Sequence, residues 1–227
     1  MDAFRKVVTP DDLIKQLHSS LAPLHNRNQT FKNDVGGRSG SIFFFSHDRR
    51  FLVKTMTDSE LSQMLRMLPA WSNHLSSKQK TLIAKIYGCF TVRTRYINEH
   101  RCFHVLLMEC CARLKVPARL KYNFDLKGCL YHRLVSEPTL PSTTLKDQNL
   151  IQLCENQKVR FLIEKEELSD LIFVLRNDVE FLKSNQLMDY SLLLMVEERG
   201  WEQCVAEDHH QIVTDDYVFH VAIIDYL

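Results

Sequence analysis

The sequence predicts an α+β protein in two lobes, strand-rich in its early half and built on one long helix in its later half. Three observations carry this expectation. Apolar and aromatic residues crowd 42–55 on both sides of a short polar turn. Further strand-like runs fall at 83–92 and 103–108. An amphipathic stretch at 165–185 is followed by strand-like 191–196 and 217–224.

Taken in order, Thr9-Pro10-Asp11-Asp12 starts a short helix over 10–22 that stops near Pro23, and polar 24–34 reads as a loop. Ile42, Phe43, Phe44 and Phe45 form one strand and Phe51, Leu52 and Val53 the next, with Ser46 to Arg50 turning the hairpin. Asp58 or Ser59 caps a helix in which Leu61, Met64, Leu65 and Leu68 recur at helical spacing, and Pro69 is expected to end it. Residues 134–149 are rich in Ser, Thr and Pro and read as a loop. In 165–185, Leu168, Leu171, Ile172, Leu175, Val179 and Leu182 share one face, with Asp170, Arg176, Asp178 and Lys183 elsewhere. A polar stretch separates 191–196 from 217–224. No internal repeat or low-complexity segment is present in the sequence.

The 227 residues carry a formal net charge of +1 and 45% hydrophobic residues, enough for a sizeable core. A charge so close to zero gives no whole-chain attraction to nucleic acid or to an anionic membrane, so nucleic acid is not an expected partner. The seven cysteines include no Cys-x-x-Cys pair, the first residues lack the apolar stretch of a signal peptide, and no apolar run suggests a membrane span. Reduced, intracellular cysteines are therefore expected. Cys204 with His209 and His210 is an incomplete zinc ligand set.

Several residues suit phosphoryl transfer, which needs a loop over phosphates, a lysine, an acid near the attacking hydroxyl and an acid for magnesium. Gly36-Gly37-Arg38-Ser39-Gly40-Ser41 can bring backbone N–H groups and the Ser41 hydroxyl to phosphate oxygens, although a plain hairpin turn has the same composition. Lys54, late in the next strand, can reach α- and β-phosphates, with Glu60 as the best acidic partner; a surface lysine at a strand end is the ordinary alternative. Asp189 falls between the long helix and a strand, where it can serve an attacking hydroxyl or simply turn the chain. Asp225 follows Ala222-Ile223-Ile224, a position that suits magnesium and equally an ordinary strand-end aspartate. Lys127 and Arg133, with Arg119 and Lys121, place positive charge near Asp125 and Gly128, either to bind an anionic head group or as a solvated basic loop.

In order and in wording, these runs resemble the phosphatidylinositol phosphate kinase family. The resemblance rests on Gly37 to Ser41, Asp48 to Thr55, Ser59-Glu60, Leu65-Arg66-Met67-Leu68-Pro69, Phe124-Asp125-Leu126-Lys127-Gly128, Leu145-Lys146-Asp147, Met188-Asp189-Tyr190-Ser191-Leu192-Leu193 and Ile223-Ile224-Asp225. The DLKG and MDYSLL runs are highly specific to it. The resemblance implies a two-lobed kinase-like fold, with an antiparallel N-lobe sheet over about 35–110 and a mixed C-lobe over about 111–227, after an N-terminal helix and linker at 1–34. It implies ATP and Mg2+ as cofactors. Gly37, Ser39, Gly40 and Ser41 would cover the phosphates, Lys54 paired with Glu60 would contact them, and Met108 to Cys110 would follow the strand leading to the adenine hinge. Asp189 would be the catalytic aspartate and Asp225 the magnesium aspartate. Asp125, Lys127 and Arg133 would serve the substrate, Arg133 pairing with Asp125.

The expected activity is transfer of the ATP γ-phosphate to an inositol hydroxyl of a phosphatidylinositol phosphate, at a membrane contacted peripherally from the cytoplasm. Lys-Thr-x-x-x-Ser-Glu and Leu-Arg-Met-Leu-Pro are more similar to the 4-phosphate 5-kinases than to the 5-phosphate 4-kinases. The family continues past the Ile-Ile-Asp run with a specificity loop, so a chain ending at Leu227 is expected to be a fragment or a shortened relative. Cys129 stands where the family has serine. A catalytically weak or inactive phosphoinositide- or nucleotide-binding relative is the alternative expectation, and the oligomeric state stays open.

Overall fold

The structure is a computed structural model that describes residues 10–23, 25–26, 32–33, 41–76, 80–96, 99–111, 114, 116–156, 159–200 and 210–226. In chain order its elements are α1 (Pro10–Ser20), β1 (Lys32–Asn33), β2 (Ile42–Phe45), β3 (Phe51–Met56), α2 (Asp58–Ser76), β4 (Ile86–Tyr96), β5 (Glu99–Glu109), a 3-10 turn at Pro117–Arg119, β6 (Leu120–Leu126), α3 (Asp147–Glu155), α4 (Lys165–Ser184), β7 (Ser191–Glu198), β8 (Gln211–Val213) and β9 (Tyr217–Ile224). The chain divides into two compact units, the first Met1–Arg66 with Lys85–Arg113, the second Met67–Ala84 with Leu114–Leu227.

The first unit holds an antiparallel sheet in the order β1-β2-β3-β5-β4. The expected hairpin forms its centre. In its turn, Asp48 accepts from the hydroxyls of Ser20 (2.5 Å) and Ser46 (2.7 Å) and from the Arg50 amide (3.2 Å). Burial alone would raise the Asp48 carboxyl; those donors, with His47 nearby, outweigh it and hold the group below its ordinary range. The bond from Ser20 also ties the end of α1 to the hairpin. Phe51, Met56, Leu106 and Leu107 are buried within this unit, each side chain stabilising it by roughly 1.5–3 kcal/mol relative to exposure.

The second unit holds an antiparallel sheet in the order β6-β7-β9-β8 together with α3 and α4, so helix and sheet are mixed there. Residues 82–84 run beside β9: Ile83 bridges Ile223 in parallel, Ala84 N donates to Ile223 O (3.1 Å) and Ile223 N to Leu82 O (2.7 Å). Phe124, Leu145, Leu182, Val196, Phe219 and Ile223 are fully or nearly fully buried. Asp178, with no exposed surface, accepts from His74 Nε2 (2.9 Å), Thr81 Oγ1 (2.8 Å) and Leu82 N (2.6 Å). A buried carboxylate is tolerable when its oxygens are filled in this way.

Four sequence expectations are corrected. Pro69 does not end its helix, which continues to Ser76. The buried stripe of α2 is Met64, Met67 and Trp71, while Leu65 and Leu68 are exposed; packing of Met67 and Trp71 either side of the proline retains the helix against the lost backbone bond. The 134–149 loop gives way to α3 at Asp147. The buried seam of α4 is Val174, Asp178 and Leu182, with Leu168 and Ile172 exposed. An acid placed by pattern on the outer face is inside because three donors converge on it.

Candidate functional site

In the first unit, Lys54 lies in β3 opposite Phe43 of β2 and Leu106 of β5. Met108 is opposite Leu52. Residues opposite each other, and residues two apart on a strand, share a face, so Lys54 and Met108 belong to one face of the sheet. Both are buried. Lys54 Nζ lies 3.9 Å from Glu60 Oε1. The other oxygen of Glu60 accepts from the Thr57 amide (2.7 Å) and hydroxyl (2.9 Å), while Thr57 Oγ1 accepts from the Glu60 amide (3.2 Å). Glu60 is therefore the returning half of a capping box at the start of α2 as well as the ion-pair partner of Lys54. Ser41, immediately before β2, is buried. Gly37, Ser39 and Gly40 lie outside the described residues, as do Cys204 and His209. The Cys110 amide donates to Arg50 O (3.0 Å), so an adenine contact at this residue would not use that amide as it stands.

In the second unit, strand register does what the sequence could not show. Ser191 of β7 pairs with Ile224 of β9, and Leu192 of β7 with Leu126 of β6. The start of β7 and the ends of β6 and β9 therefore coincide, and Lys127, Asp189 and Asp225 all emerge at one end of one sheet. Asp189 and Asp225 have φ of +63° and +58°, in the left-handed region that only glycine enters freely and that asparagine and aspartate tolerate best. Both are exposed. Lys127 Nζ donates to the Asp189 carbonyl (2.5 Å) and lies 3.6 Å from Asp189 Oδ1. Asp225 is followed by buried Tyr226, whose hydroxyl donates to Ala84 O (2.5 Å) and whose ring stacks on Trp71 at 5.2 Å. With Ile223 bonded to Leu82 and Ala84 and Ile224 paired with Ser191, the chain is held before Asp225 as well as after it.

The turn carrying Lys127 is built on Asp147, the first residue of α3. Asp147 Oδ1 accepts from the amides of Lys127 (3.0 Å) and Gly128 (2.8 Å), and Oδ2 from Arg133 Nε (2.8 Å). Arg133 also donates to the Asp125 carbonyl and lies 3.1 Å from Asp125 Oδ1, so the expected Arg133–Asp125 pair is present. Gly128 has φ +69°, which suits a glycine. Burial alone would raise the Asp147 carboxyl; the Arg133 bond and the amides of Gly128, Asp147 itself and Lys127 outweigh it and hold the group below the usual carboxylate range. Burial likewise pulls Arg133 down, and its two carboxylates more than restore it. Asn149 completes the frame, its side chain bonded to Val135 N (3.0 Å) and O (2.9 Å) and accepting from Lys146 N (3.1 Å). Asp147 stands in the Leu-Lys-Asp run of the sequence, but its role has no local signal, because its partners lie 14 to 20 positions away. Beside this turn lies a cavity of about 600 Å³ with mainly apolar walls, among them Leu126, Leu130, Leu150, Leu175 and Ile223.

Asp225, exposed where the chain leaves the end of β9, offers carboxylate oxygens of the kind magnesium prefers. Among the described residues, no helix is long and apolar enough to cross a membrane.

Comparison with known proteins bears on the DLKG and MDYSLL runs, not on Ile-Ile-Asp. The sequence profile of the Phosphatidylinositol-4-phosphate 5-Kinase family matches residues 25–219. Phosphatidylinositol 4-phosphate 5-kinase 8 of Arabidopsis thaliana is 38% identical over 159 residues, covering 70% of this chain and 19% of that protein. Phosphatidylinositol 4-phosphate 5-kinase 7 of the same plant is 37% identical over 159 residues, 70% of this chain and 20% of its own length. Phosphatidylinositol 4-phosphate 5-kinase type-1 beta of Gallus gallus is 33% identical over 162 residues, 70% of this chain and 28% of that protein. The chain thus spans less than a third of the length of the curated relatives it matches. With 195 consecutive positions under the profile and the DLKG, MDYSLL and Ile-Ile-Asp runs meeting at one sheet end, the chain belongs to the phosphatidylinositol-4-phosphate 5-kinase family.

Proposed function

We propose that this chain carries the catalytic core of a lipid kinase with the two-lobed kinase plan. It transfers the ATP γ-phosphate to an inositol hydroxyl of a phosphatidylinositol phosphate, converting the 4-phosphate to the 4,5-bisphosphate. The observation that carries the reading is the convergence of Lys127, Asp189 and Asp225 at one end of the second sheet through the Leu126–Leu192 and Ser191–Ile224 register pairs.

The roles follow from chemistry. Asp189, exposed and held by its backbone conformation, accepts or orients the proton of the attacking hydroxyl. Asp225 would hold Mg2+, and the ion would offset negative charge on the phosphates. Lys54, fixed by β3 and facing Glu60, serves as the phosphate-contacting lysine, with Gly37, Ser39, Gly40 and Ser41 as the covering loop and Met108 and Cys110 on the adenine side. Asp125, Lys127 and Arg133 form the substrate side. Lys127 is the more open of the two cations, its side chain 28% exposed against 10% for Arg133, so Lys127 meets the anionic head group. Rate gain comes from positioning and electrostatics rather than covalent chemistry. Contact with the membrane is peripheral, from the cytoplasmic side.

The test is incubation with labelled ATP, magnesium and vesicles carrying each phosphatidylinositol monophosphate in turn, beside an Asp189→Asn control. Product on the 4-phosphate vesicles, lost in the control, is the expected result. No product on any vesicle, with nucleotide or vesicle binding unchanged by Asp189→Asn, replaces the proposal with a binding protein.

A further inference from the structure

We infer that Asp147 is the positioning residue of this site: it holds the Lys127–Gly128 turn and uses Arg133 as its brace, so that Arg133 fixes the place of the Lys127 ammonium instead of meeting the lipid head group itself. The inference rests on the kinase reading only for what Lys127 then does; the positioning itself is independent of it.

The geometry is specific. One carboxylate spends both oxygens on a single turn, Oδ1 on two consecutive amides and Oδ2 on Arg133 Nε. Two consecutive amides on one oxygen fix the direction in which residue 127 leaves the backbone. Arg133 spans Asp147 and Asp125, so the end of β6 and the first residue of α3 are tied through one rigid planar group. The Gln148 amide donates to Arg133 O (3.0 Å) and the Gln148 side chain to Leu130 O (2.5 Å), which closes the loop between them. Lys127 is thereby carried to Asp189, where its Nζ meets both the carbonyl and the carboxylate. A head-group ligand needs a donor turned outward. Arg133 is 8% exposed and already faces two carboxylates, so a phosphate would have to displace one of them.

Arg133 and Asp147 thus act on the lysine together, and their removal is not additive. Lys121 supplies an internal reference: it lies in β6 of the same sheet and is bonded to Glu198 (2.5 Å), away from the turn.

The experiment compares acetylation rates of Lys127 and Lys121 by mass spectrometry in the wild-type chain, Asp147→Asn, Arg133→Lys and the double variant. The expected result is a Lys127-to-Lys121 rate ratio that rises on the order of tenfold in each single variant, as a charge-assisted restraint is released, with no further rise in the double variant. The ratio distinguishes a local release from general loosening, which raises both rates together. An unchanged ratio in both single variants overturns the inference, and so does an additive rise in the double variant. Should one single variant fail to fold by circular dichroism, the other decides alone: a raised ratio supports the inference and an unchanged ratio overturns it. Because labelling needs no turnover, this outcome is separate from that of the kinase assay. Where turnover is present, Arg133→Lys and Asp147→Asn raise KM for the lipid alike and the double variant raises it no further; a raised KM in Arg133→Lys with none in Asp147→Asn returns Arg133 to the head group.

Discussion

Ser191 lies opposite Ile224 in the β7–β9 ladder, and that one register pair decides where both late aspartates leave the sheet. Asp189 precedes the start of β7 and Asp225 follows the end of β9, so residues 36 positions apart in sequence become neighbours in topology. A shift of one residue would turn the strand's side chains to the opposite face.

The left-handed backbone at both aspartates makes asparagine the informative substitution. Asparagine tolerates φ near +60° and keeps the side-chain shape, so Asp189→Asn and Asp225→Asn retain the fold and lose the charge. Lipid phosphorylation should fall about 10²- to 10⁴-fold in Asp189→Asn, the usual worth of a positioned acid or base, and should fall in Asp225→Asn through loss of the magnesium carboxylate, with thermal midpoints close to wild type in both. Asp189→Ala and Asp225→Ala add backbone strain of about 1 kcal/mol and should show a lower midpoint as well. Equal midpoints for the Asn and Ala variants would remove strain from the argument.

Glu60 separates stability from catalysis. Glu60→Gln keeps an acceptor for the Thr57 amide and hydroxyl but loses the ion pair with Lys54. Its stability should match wild type while nucleotide affinity falls. Glu60→Ala loses the cap too and should cost a further ~1 kcal/mol, read as a lower urea midpoint. If both variants are equally destabilised, the capping role assigned to Glu60 is wrong.

Much of the fold is legible in the sequence because it is written in local periodicity. The Phe-rich hairpin, the long helix and the strands at 191 and 217 follow from spacing and turn residues, and the structure has them. Pro69 misleads because the helix on both sides of it is held by buried Met67 and Trp71, a tertiary effect that overrides a local breaker. Asp178 misleads because polar pattern assigns an acid to the surface, whereas His74, Thr81 and Leu82 reach it from about 100 positions upstream. Lys54, Asp189 and Asp225 stand out as residues beside apolar strands. The arrangement of Asp147 around the Lys127 turn does not, since its partners come from a preceding loop and strand end that no period connects.

Asp178→Ala should be the most damaging single change to the second unit. It removes the buried acceptor of the Thr81 hydroxyl and the Leu82 amide and one partner of the His74 ring. Together with the lost bonds this amounts to roughly 3 kcal/mol or more. Leu82 is bonded through its carbonyl to Ile223, so the loosening reaches the strand that presents Asp225. Hydrogen exchange at Ile223 should therefore accelerate in Asp178→Ala. Unchanged protection there would confine the damage to the α4 side.

Acid sensitivity tests the Asp147 brace from a different direction. The folded carboxyl is held below its ordinary value because the bonds from Arg133 and the turn amides outweigh burial. A depressed folded pKa contributes stability that is fully present above the unfolded value of about 3.9 and is lost as pH falls through the folded value. Arg133 keeps its charge throughout this range. Wild-type urea midpoints should therefore decline below about pH 4, while Asp147→Asn starts lower at neutral pH and declines less steeply. Asp48 is depressed too, and its share of the acid slope persists in the variant; it is largely exposed, so screening by solvent keeps that share small. The two curves should approach each other as the pH drops. Parallel curves across the whole range would mean that the Asp147 carboxylate is not held by Arg133 in solution.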